Sequence, residues 1–415
     1  MTAMHPPRVL LLMPATTYRA ADFVDAGIRV GAEVVVGSDQ KQTLEDAAPG
    51  GTLTLDFRDT SAAIARIKDF ARERPLSGVV GVDDDTALLA AEASRALGLS
   101  HNPVEAVRAT RYKHLARELL SLAGLRVPRF WKASASEDPL SLALRVEFPC
   151  VVKPLFLSAS RGVIKAEDPE GLARAWERLR HLLEDPEVRR KGGEAAEWVL
   201  VESYIPGDEV AVEGLLIGGD LKPLALFDKP DPLVGPFFEE TIYVTPSRQC
   251  EGTQEAIVRT TALAAAALGL REGPVHAELR ANELGIWPLE LAARSIGGLC
   301  SRALRFGAGI SLEELILRHA LGMELKSLER EKQAAGVMMI PIPRAGRLRR
   351  FAGLQDARAV PGVEEVVQSI PTGQELVPLP EGSRYLGFIF ARGVEPAGVE
   401  ASLREAHRRL EISVE

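Results

Sequence analysis

The sequence lacks the features that mark several large classes of protein. Its three cysteines, Cys150, Cys250 and Cys300, are odd in number, far apart and outside any CxxC pattern, so neither a disulfide framework nor a zinc site is indicated. Basic residues are the minority: 50 Lys and Arg against 58 Asp and Glu give a net charge of −8. This charge disfavours a nucleic acid or an anionic membrane as partner.

Long hydrophobic runs are also missing. The first apolar run, in MTAMHPPRVLLLMP, is shorter than a signal peptide requires and is typical of a first β-strand. No segment approaches the length of a membrane span. We therefore expect a cytoplasmic protein, and the 415 residues are enough for about two to four globular domains.

Two common nucleotide-binding motifs are absent. The first strand is followed by Met13-Pro14-Ala15-Thr16, which lacks the G-x-G-x-x-G of a dinucleotide site. The GK[ST] of a Walker A loop is missing as well. A nucleotide site, if present, must therefore use another arrangement.

Strand and helix signals alternate between residues 8 and 110, which predicts a parallel, doubly wound sheet. A strand at 78–82 leads into Asp83-Asp84-Asp85 and a helix from Thr86 to Leu97. Ligands of such sheets bind at the carboxyl ends of strands, so these aspartates could touch a substrate. Capping of the following helix explains at least one of them without any function.

Two lysines lie in patterns that suit phosphate binding. Lys113 belongs to a helical unit at 102–124, where a solvated helix face is the alternative explanation. Lys153 is near the end of a buried strand at 149–154, and the loop Ser158-Ala159-Ser160-Arg161-Gly162-Val163 follows it. Small residues let backbone N–H groups approach phosphate oxygens, although a surface hairpin would give the same pattern.

The segment from Asp228 to Pro246 is rich in proline and acidic residues and predicts no regular structure. A loop of this length in a compact domain is usually functional or disordered. Its aromatic residues Phe237, Phe238 and Tyr243 favour a lid or a pocket wall.

The run GPVHAELRANELGIWPLELAARSIGG, at 273–298, predicts a hairpin that turns at Asn282-Glu283-Leu284-Gly285. Glu278 and Glu290 would then lie nearly opposite each other, with Cβ atoms about 5 Å apart. Two adjacent carboxylates are costly unless a cation lies between them, and Mg²⁺ prefers such ligands. Two solvent-exposed glutamates on a surface hairpin are the alternative.

Two helices and a C-terminal unit are predicted after the hairpin. The helices lie at 301–306 and 311–321, and Ser311-Leu312-Glu313-Glu314 is a capping box for the second. Residues 336–415 are expected to form a compact antiparallel unit with a closing helix at 399–410.

Taken in this order, the features resemble the ATP-grasp superfamily over nearly the whole chain. The motifs FPCVVKP, VLVESYIPGDEV and HAELR…PLELAARSIGG carry the resemblance. It implies an N-terminal doubly wound parallel sheet, an ATP-grasp fold of two α+β subdomains that clasp ATP, and a small C-terminal α+β unit. The implied boundaries are a Rossmann-like domain at 1–110, a lid subdomain at 111–199, a second subdomain with the metal site at 200–335, and the C-terminal unit at 336–415.

The resemblance also implies how ATP would bind. Lys113 and Lys153 would reach the phosphates, and the loop with Ser158, Ser160 and Gly162 would close over them.

The nucleoside would be held by residues that follow the next strand. Glu202 would accept a hydrogen bond from the adenine amino group, and backbone groups of Tyr204 and Ile205 would read the edge of the ring. Glu209 would hold the ribose hydroxyls.

Metal and substrate would lie at the hairpin. Glu278 and Glu290 would bind two Mg²⁺ ions, for which Mn²⁺ can substitute, and Arg294 would bind a substrate carboxylate or acyl phosphate. Lys229 would lie near the phosphates, and His276 is a candidate substrate contact for which a structural role is the alternative.

One departure from the superfamily pattern points to a branch. Many members carry Asn two residues after the second metal-binding Glu, where this chain has Ala292. Ala292-Ala293-Arg294, together with GPVHAE and DKPDPLVGPFFEE, resembles the L-amino-acid ligase branch, which joins free amino acids into dipeptides. The loop SASRG is a second departure, since it is poor in glycine.

The implied reaction is ATP-dependent ligation of a carboxylate to an amine through an acyl phosphate, with release of ADP and phosphate. The partners would be small molecules, and a homodimer is a further expectation. A biotin-carboxylase-like or purine-pathway ligase is an alternative, weakened by Ala292 and by the lack of a Met-Lys-Met carrier sequence. A non-catalytic ATP-binding regulator is another, and the retention of both lysines, both glutamates and Arg294 argues against it.

Overall fold

The computed structural model describes residues 6–41 and 51–415, and its N-terminal part alternates strands and helices. The elements are β1 (Arg8–Leu12), α1 (Ala20–Val30), β2 (Glu33–Ser38), β3 (Thr52–Thr54), α2 (Thr60–Glu73), β4 (Gly78–Gly81) and α3 (Asp84–Leu97). The strand order is β3-β2-β1-β4, and every neighbouring pair is parallel. The predicted parallel sheet is confirmed, and β3 was not predicted.

The helical unit predicted at 102–124 is two helices, α4 (Val104–Arg111) and α5 (Lys113–Leu122). Tyr112, between them, has an extended backbone with φ −107° and ψ 104°. The N–H of Lys113 donates to the carbonyl of Leu155 at 3.0 Å, which ties α5 to the chain that follows the Lys153 strand. Lys113 is 8% exposed, so its interpretation as part of a solvated face is wrong.

A four-stranded sheet carries the Lys153 strand. Its elements are β5 (Phe130–Ser134), α6 (Pro139–Ala143), β6 (Cys150–Pro154), β7 (Ile164–Ala166), α7 (Pro169–Glu184), α8 (Pro186–Gly192) and β8 (Trp198–Ser203). The order is β5-β8-β6-β7, and all pairs are antiparallel. Leu172, Trp176 and Leu179 of α7 share an apolar core with Val152 and Leu200 of the sheet. This core fixes the strand from which the small-residue loop departs.

An eight-stranded sheet forms the centre of the molecule. The remaining elements are β9 (Asp208–Ile217), β10 (Asp220–Asp228), β11 (Ile242–Thr245), α9 (Glu251–Leu268), β12 (Gly273–Asn282), β13 (Gly285–Ala292), α10 (Leu312–Ala320), β14 (Ala334–Ile340), β15 (Gly346–Ala352), α11 (Leu354–Arg358), β16 (Val363–Gln368), β17 (Glu375–Leu376), β18 (Gly387–Gly393), α12 (Pro396–Arg408) and β19 (Glu411–Val414). The order is β13-β12-β9-β10-β11-β14-β18-β16, entirely antiparallel. The predicted hairpin is β12 and β13.

The strands predicted for residues 336–415 do not form a main sheet of their own. β14, β18 and β16 extend the sheet that carries the hairpin, and only β15, β17 and β19 form a separate three-stranded sheet. The link is β11, a buried strand within the segment predicted to have no regular structure. The division at 335/336 therefore stays a prediction.

Two further features concern the helices. The capping box at Ser311 is confirmed, because its Oγ accepts from the N–H of Glu314 at 3.2 Å. The helix predicted at 301–306 is wrong, since only a short 3₁₀ helix, Cys300–Ala303, is found there. None of the described helices is both long and apolar enough to cross a membrane.

The N-terminal sheet packs on the eight-stranded sheet through a shared apolar core. Val9 and Leu11 of β1 lie in the same cluster as Phe227, Val337 and Phe388. This packing brings the carboxyl ends of β1 and β4 to the face of the large sheet that carries the hairpin glutamates.

Candidate active site

A cavity of about 380 Å³ lies where the N-terminal, four-stranded and eight-stranded sheets meet. Most of the predicted site residues line it. They are Lys113, Lys153, Ser158, Ser160, Glu202, Tyr204, Ile205, Glu209, His276, Glu278, Glu290 and Arg294. Gly162 and Lys229 lie behind this lining, where they contact other residues.

Glu278 and Glu290 lie opposite each other on β12 and β13. The ladder is regular from the turn to the Leu279–Pro288 pair, so without interruption it would set Leu289 opposite Glu278. A bulge at this point shifts the register by one residue and sets Glu290 there instead. The opposed pair thus depends on the bulge as well as on the turn.

The hairpin glutamates suit a hard divalent cation, which prefers oxygen ligands. Their side chains are 25% and 30% exposed, and both line the cavity. Burial raises the pKa of Glu278, but Lys229 and His276 outweigh this and hold the pKa well below its usual range. Glu278 is therefore an ionised carboxylate, the form that binds a metal ion.

Lys229 lies behind the cavity lining and pairs with three carboxylates that face the cavity. Its ammonium contacts Glu240, lies 2.8 Å from Glu209 and lies 3.5 Å from Glu278. The ligand atoms of these three carboxylates are within 4.8 Å of one another, a spacing that would also suit a metal ion. Because the Lys229 side chain is only 3% exposed and already supplies a cation to all three, we assign it a positioning role.

His276 bridges the buried carboxylate of Glu213 and the partly exposed carboxylate of Glu278. Its Nδ1 lies 3.0 Å from Glu213, and its Nε2 lies 3.4 Å from Glu278. Burial lowers the pKa of His276, yet the two carboxylates raise it to about 9. Glu213 also accepts from the N–H of Ile296 at 3.0 Å. The imidazolium therefore orients Glu278 at the cavity surface.

Arg117, which the sequence interpretation missed, connects Lys153 to the hairpin through Glu202. Its Nε donates to Glu202 at 2.7 Å, and its Nη2 donates to the carbonyl of the bulged Leu289 at 2.6 Å. Glu202 also contacts the ammonium of Lys153. The predicted adenine-binding carboxylate thus lies between two cations. The available signal was an arginine four residues after Lys113 on the apolar face of α5.

Arg294 lies at the end of the cavity next to the N-terminal sheet. Its Nη2 donates to Asp84 at 2.7 Å, and its Nη1 donates to the carbonyl of Ser295 at 3.0 Å. Asp85 lies 2.8 Å from Arg111 and 2.6 Å from Lys191. The capping interpretation is confirmed for Asp83, which precedes α3 as its N-cap, while contact of the aspartates with a substrate stays a prediction.

Tyr204 and Ile205, which are predicted to bind the edge of the adenine ring, each have one backbone group that already has a partner in the protein. The N–H of Tyr204 donates to Pro149 at 2.9 Å, and Arg280 donates to the carbonyl of Ile205 at 2.5 Å. These two bonds do not use the Tyr204 carbonyl or the Ile205 N–H. Arg280 also donates to Glu209 at 3.0 Å and lies 4.9 Å from the Tyr204 ring. Glu209, the predicted ribose ligand, is thus held between Arg280 and Lys229.

The small-residue loop lines the end of the cavity that carries Lys113 and Lys153. Ser158 and Ser160 line the cavity, and Nζ of Lys113 donates to the carbonyl of Leu157 at 2.6 Å. Gly162 faces away, and its N–H donates to the carbonyl of Pro380 at 2.8 Å. In the segment before β11, Phe238 lines the cavity, while Phe237 pairs with Ile164 of β7 in the four-stranded sheet.

Family models match three parts of the chain. A model of the ATP-grasp domain matches residues 146–303, and a model of the ATP-grasp N-terminal domain matches residues 24–101. A model described as L-amino acid ligase C-terminal domain 2 matches residues 338–415. The matched residues include the small-residue loop and the hairpin.

Known proteins resemble the chain at low identity. The uncharacterized protein y4rH of Sinorhizobium fredii is 22% identical over 411 residues, which cover 98% of this chain and 83% of that protein. The alanine–anticapsin ligase of Bacillus subtilis is 27% identical over 243 residues, and the match covers 55% of this chain and half of the ligase. The crystal structure of an L-amino acid ligase from Bacillus licheniformis superposes with a TM-score of 0.80 at 26% identity, covering 99% of both chains.

Proposed function

The chain belongs to the ATP-grasp family of carboxylate–amine ligases, and on that basis we propose that it joins two amino acids by a peptide bond with ATP and Mg²⁺. The observation that carries the proposal is one cavity that gathers Lys113, Lys153, Glu278, Glu290 and Arg294. The C-terminal domain match and the likeness to the Bacillus licheniformis L-amino acid ligase favour amino acids as substrates.

ATP would lie along the cavity with its phosphates towards the two lysines. Lys113 and Lys153 are each 8% exposed, so their charges act in a poorly solvated site. The Tyr204 carbonyl and the Ile205 N–H suit the amino group and ring nitrogen of adenine. Ser158 and Ser160 would approach the phosphate oxygens from the loop.

Two Mg²⁺ ions would be held by Glu278 and Glu290, with Mn²⁺ as a substitute. When bound, Mg²⁺ neutralises negative charge on the phosphate oxygens. His276 and Lys229 keep Glu278 ionised and oriented for this role. Family members use ATP and a divalent metal, and the identity and number of the ions belong to the proposal.

The reaction would proceed in two steps. A carboxylate oxygen of one amino acid attacks the γ-phosphorus of ATP, the bond to the β–γ bridging oxygen breaks, and ADP leaves. The amino nitrogen of the second substrate then attacks the acyl carbon, phosphate leaves, and the nitrogen loses a proton. Arg294 would hold the carboxylate and then the acyl phosphate, while Lys113 and Lys153 neutralise charge on the transferred group.

Phosphate release with Mg-ATP, measured against the twenty amino acids singly and in pairs, tests the proposal. We expect release that requires two amino acids and falls by about 100-fold or more in Glu290→Ala. Glu283→Ala, in the exposed turn of the same hairpin, is the matched control and should keep its activity. No release with any pair would contradict the proposal, and ATP binding without turnover would favour the regulator.

Three further expectations accompany this proposal. The family acts on small molecules, so small-molecule substrates are the proposed partners. A homodimer and a cytoplasmic location stay predictions.

A further inference from the structure

The small-residue loop has an uncommon backbone. Ala159 and Ser160 have φ values of +56° and +54°, in the left-handed region that L-residues rarely adopt. Neither is glycine, for which this conformation carries no steric cost. Such conformations persist where the surrounding structure imposes them, and they concentrate at functional sites. The contacts that hold this loop therefore bear on how the cavity is closed.

Two of those contacts come from a distant segment, residues 380–381, which precedes β18. The N–H of Gly162 donates to the carbonyl of Pro380 at 2.8 Å. Nε of Arg161 donates to the carbonyl of Glu381 at 2.6 Å, across 220 positions of the chain. Ser383, two residues further on, lines the same cavity. The cavity is thus lined by the small-residue loop and by the C-terminal part together.

Arg178 of α7 secures this segment from behind the loop. Its Nε and Nη2 donate to the Glu381 carboxylate at 2.5 and 2.9 Å, a bidentate arrangement. Its guanidinium also lies 4.9 Å from the ring centre of Phe237. Phe237 pairs with Ile164, the first residue of β7 after the loop. Arg178 therefore connects α7 both to the segment before β11 and to residues 380–381.

We propose that Glu381 and Arg178 are positioning residues, which hold the loop Ser158–Gly162 over the phosphates of ATP. The inference rests on the proposed function, because it takes ATP as the ligand of this cavity. Most exposed ion pairs contribute little, but bidentate arginine–carboxylate pairs are the exception. Here the pair fixes a segment whose backbone carbonyls receive the loop's donors. The pKa of Glu381 is lowered by its hydrogen bonds with Arg178, as expected of a persistent pair.

The first test measures the affinity for Mg-ATP by titration calorimetry, which does not require turnover. Glu381→Gln and Arg178→Gln should each weaken ATP binding by about five- to tenfold, since the loop loses its support. The exchanged pair, Arg178→Glu with Glu381→Arg, should recover most of the affinity. Arg180→Gln is the matched control, because Arg180 lies on the same helix and pairs only with Glu177 and Glu184 among the described residues.

The second test measures how readily the loop opens, from the rate of tryptic cleavage after Arg161. Glu381→Gln leaves every tryptic site in place and should speed this cleavage by about fivefold, while saturating Mg-ATP should slow it again. In steady state the KM for ATP should rise while kcat changes less than twofold. Unchanged ATP affinity in both single variants, or affinity lost without faster cleavage, would overturn the inference. An absence of ligase turnover in a protein that binds ATP would defeat the proposed function and leave this assignment standing.

Discussion

Nη2 of Arg294 lies 2.7 Å from Oδ2 of Asp84, although 210 positions of the chain separate them. Asp84 begins α3 at the carboxyl end of the parallel strand β4, and Arg294 follows the hairpin of β12 and β13. The pair is largely buried, with side chains 12% and 19% exposed. Burial lowers the pKa of Arg294, and Asp84 more than offsets this. The N-terminal sheet thus positions the guanidinium proposed to hold the substrate carboxylate.

Asp84→Asn should lower kcat by about tenfold to 100-fold, because a misplaced Arg294 no longer aligns the substrate carboxylate. The KM for ATP should change little, since Lys113 and Lys153, the lysines proposed to bind the phosphates, are untouched. The measurement is steady-state phosphate release under saturating substrates. Asp25→Asn, on the exposed side of α1, is the control. An unchanged kcat in Asp84→Asn would show that Arg294 does not depend on this partner.

The same pair predicts a dependence of stability on pH. Burial raises the pKa of Asp84, but Arg294 outweighs this and holds it well below the ordinary value of 3.8. A carboxylate with a lowered folded-state pKa contributes stability above its unfolded pKa, and this contribution is lost as pH falls further. The difference in unfolding free energy between wild type and Asp84→Asn should therefore be largest at pH 7, be smaller at pH 3, and continue to shrink as pH falls towards the folded-state pKa of Asp84. Urea titrations at the two pH values measure the difference, and a gap that widens in acid would contradict the assignment.

The sequence predicted the parts of the site whose partners lie close along the chain. Glu278 and Glu290 could be paired because a turn signal lies between them, and the opposed pair is confirmed. The bulge was not foreseen, since no local pattern marks it and the partner of its Leu289 carbonyl, Arg117, lies on another element. Periodicity likewise predicted the parallel sheet, because each of its strands has a local apolar pattern.

Residues that act through distant partners could not be predicted in the same way. Arg280 contacts the carbonyl of Ile205 75 positions away, and the contact follows only once β12 lies beside β9. Strand β11 is four residues long and follows a proline-rich segment, so local patterns hid it. Lys229 is predicted near the phosphates because its segment, DKPDPLVGPFFEE, resembles the substrate-side loop of the L-amino-acid ligase branch. In the folded chain the ammonium of Lys229 pairs with Glu209, Glu240 and Glu278.

Lys229→Met should destabilise the protein by about 3–5 kcal/mol, because it removes the buried cation that Glu209, Glu240 and Glu278 share. Chemical denaturation monitored by circular dichroism measures this loss. Lys222→Met provides the control, since Lys222 is exposed on β10 and its loss should matter little. A variant as stable as wild type would show that the carboxylates are neutralised in another way.

Arg117→Lys tests whether the phosphate lysine is held through Glu202. A lysine keeps the positive charge but cannot reproduce the fork that reaches both Glu202 and the carbonyl of Leu289. Glu202, the partner of Lys153, should no longer be held in place. The Kd for ATP should therefore rise by about tenfold or more, as expected when a buried charged hydrogen bond is lost. The bulge should relax as well, so the apparent affinity for Mg²⁺ should fall in the same variant. Arg174→Lys, on the exposed face of α7, controls for the substitution itself. Because one arginine supports both ends of the phosphate site, a loss of ATP affinity with unchanged Mg²⁺ affinity would contradict the link to the hairpin.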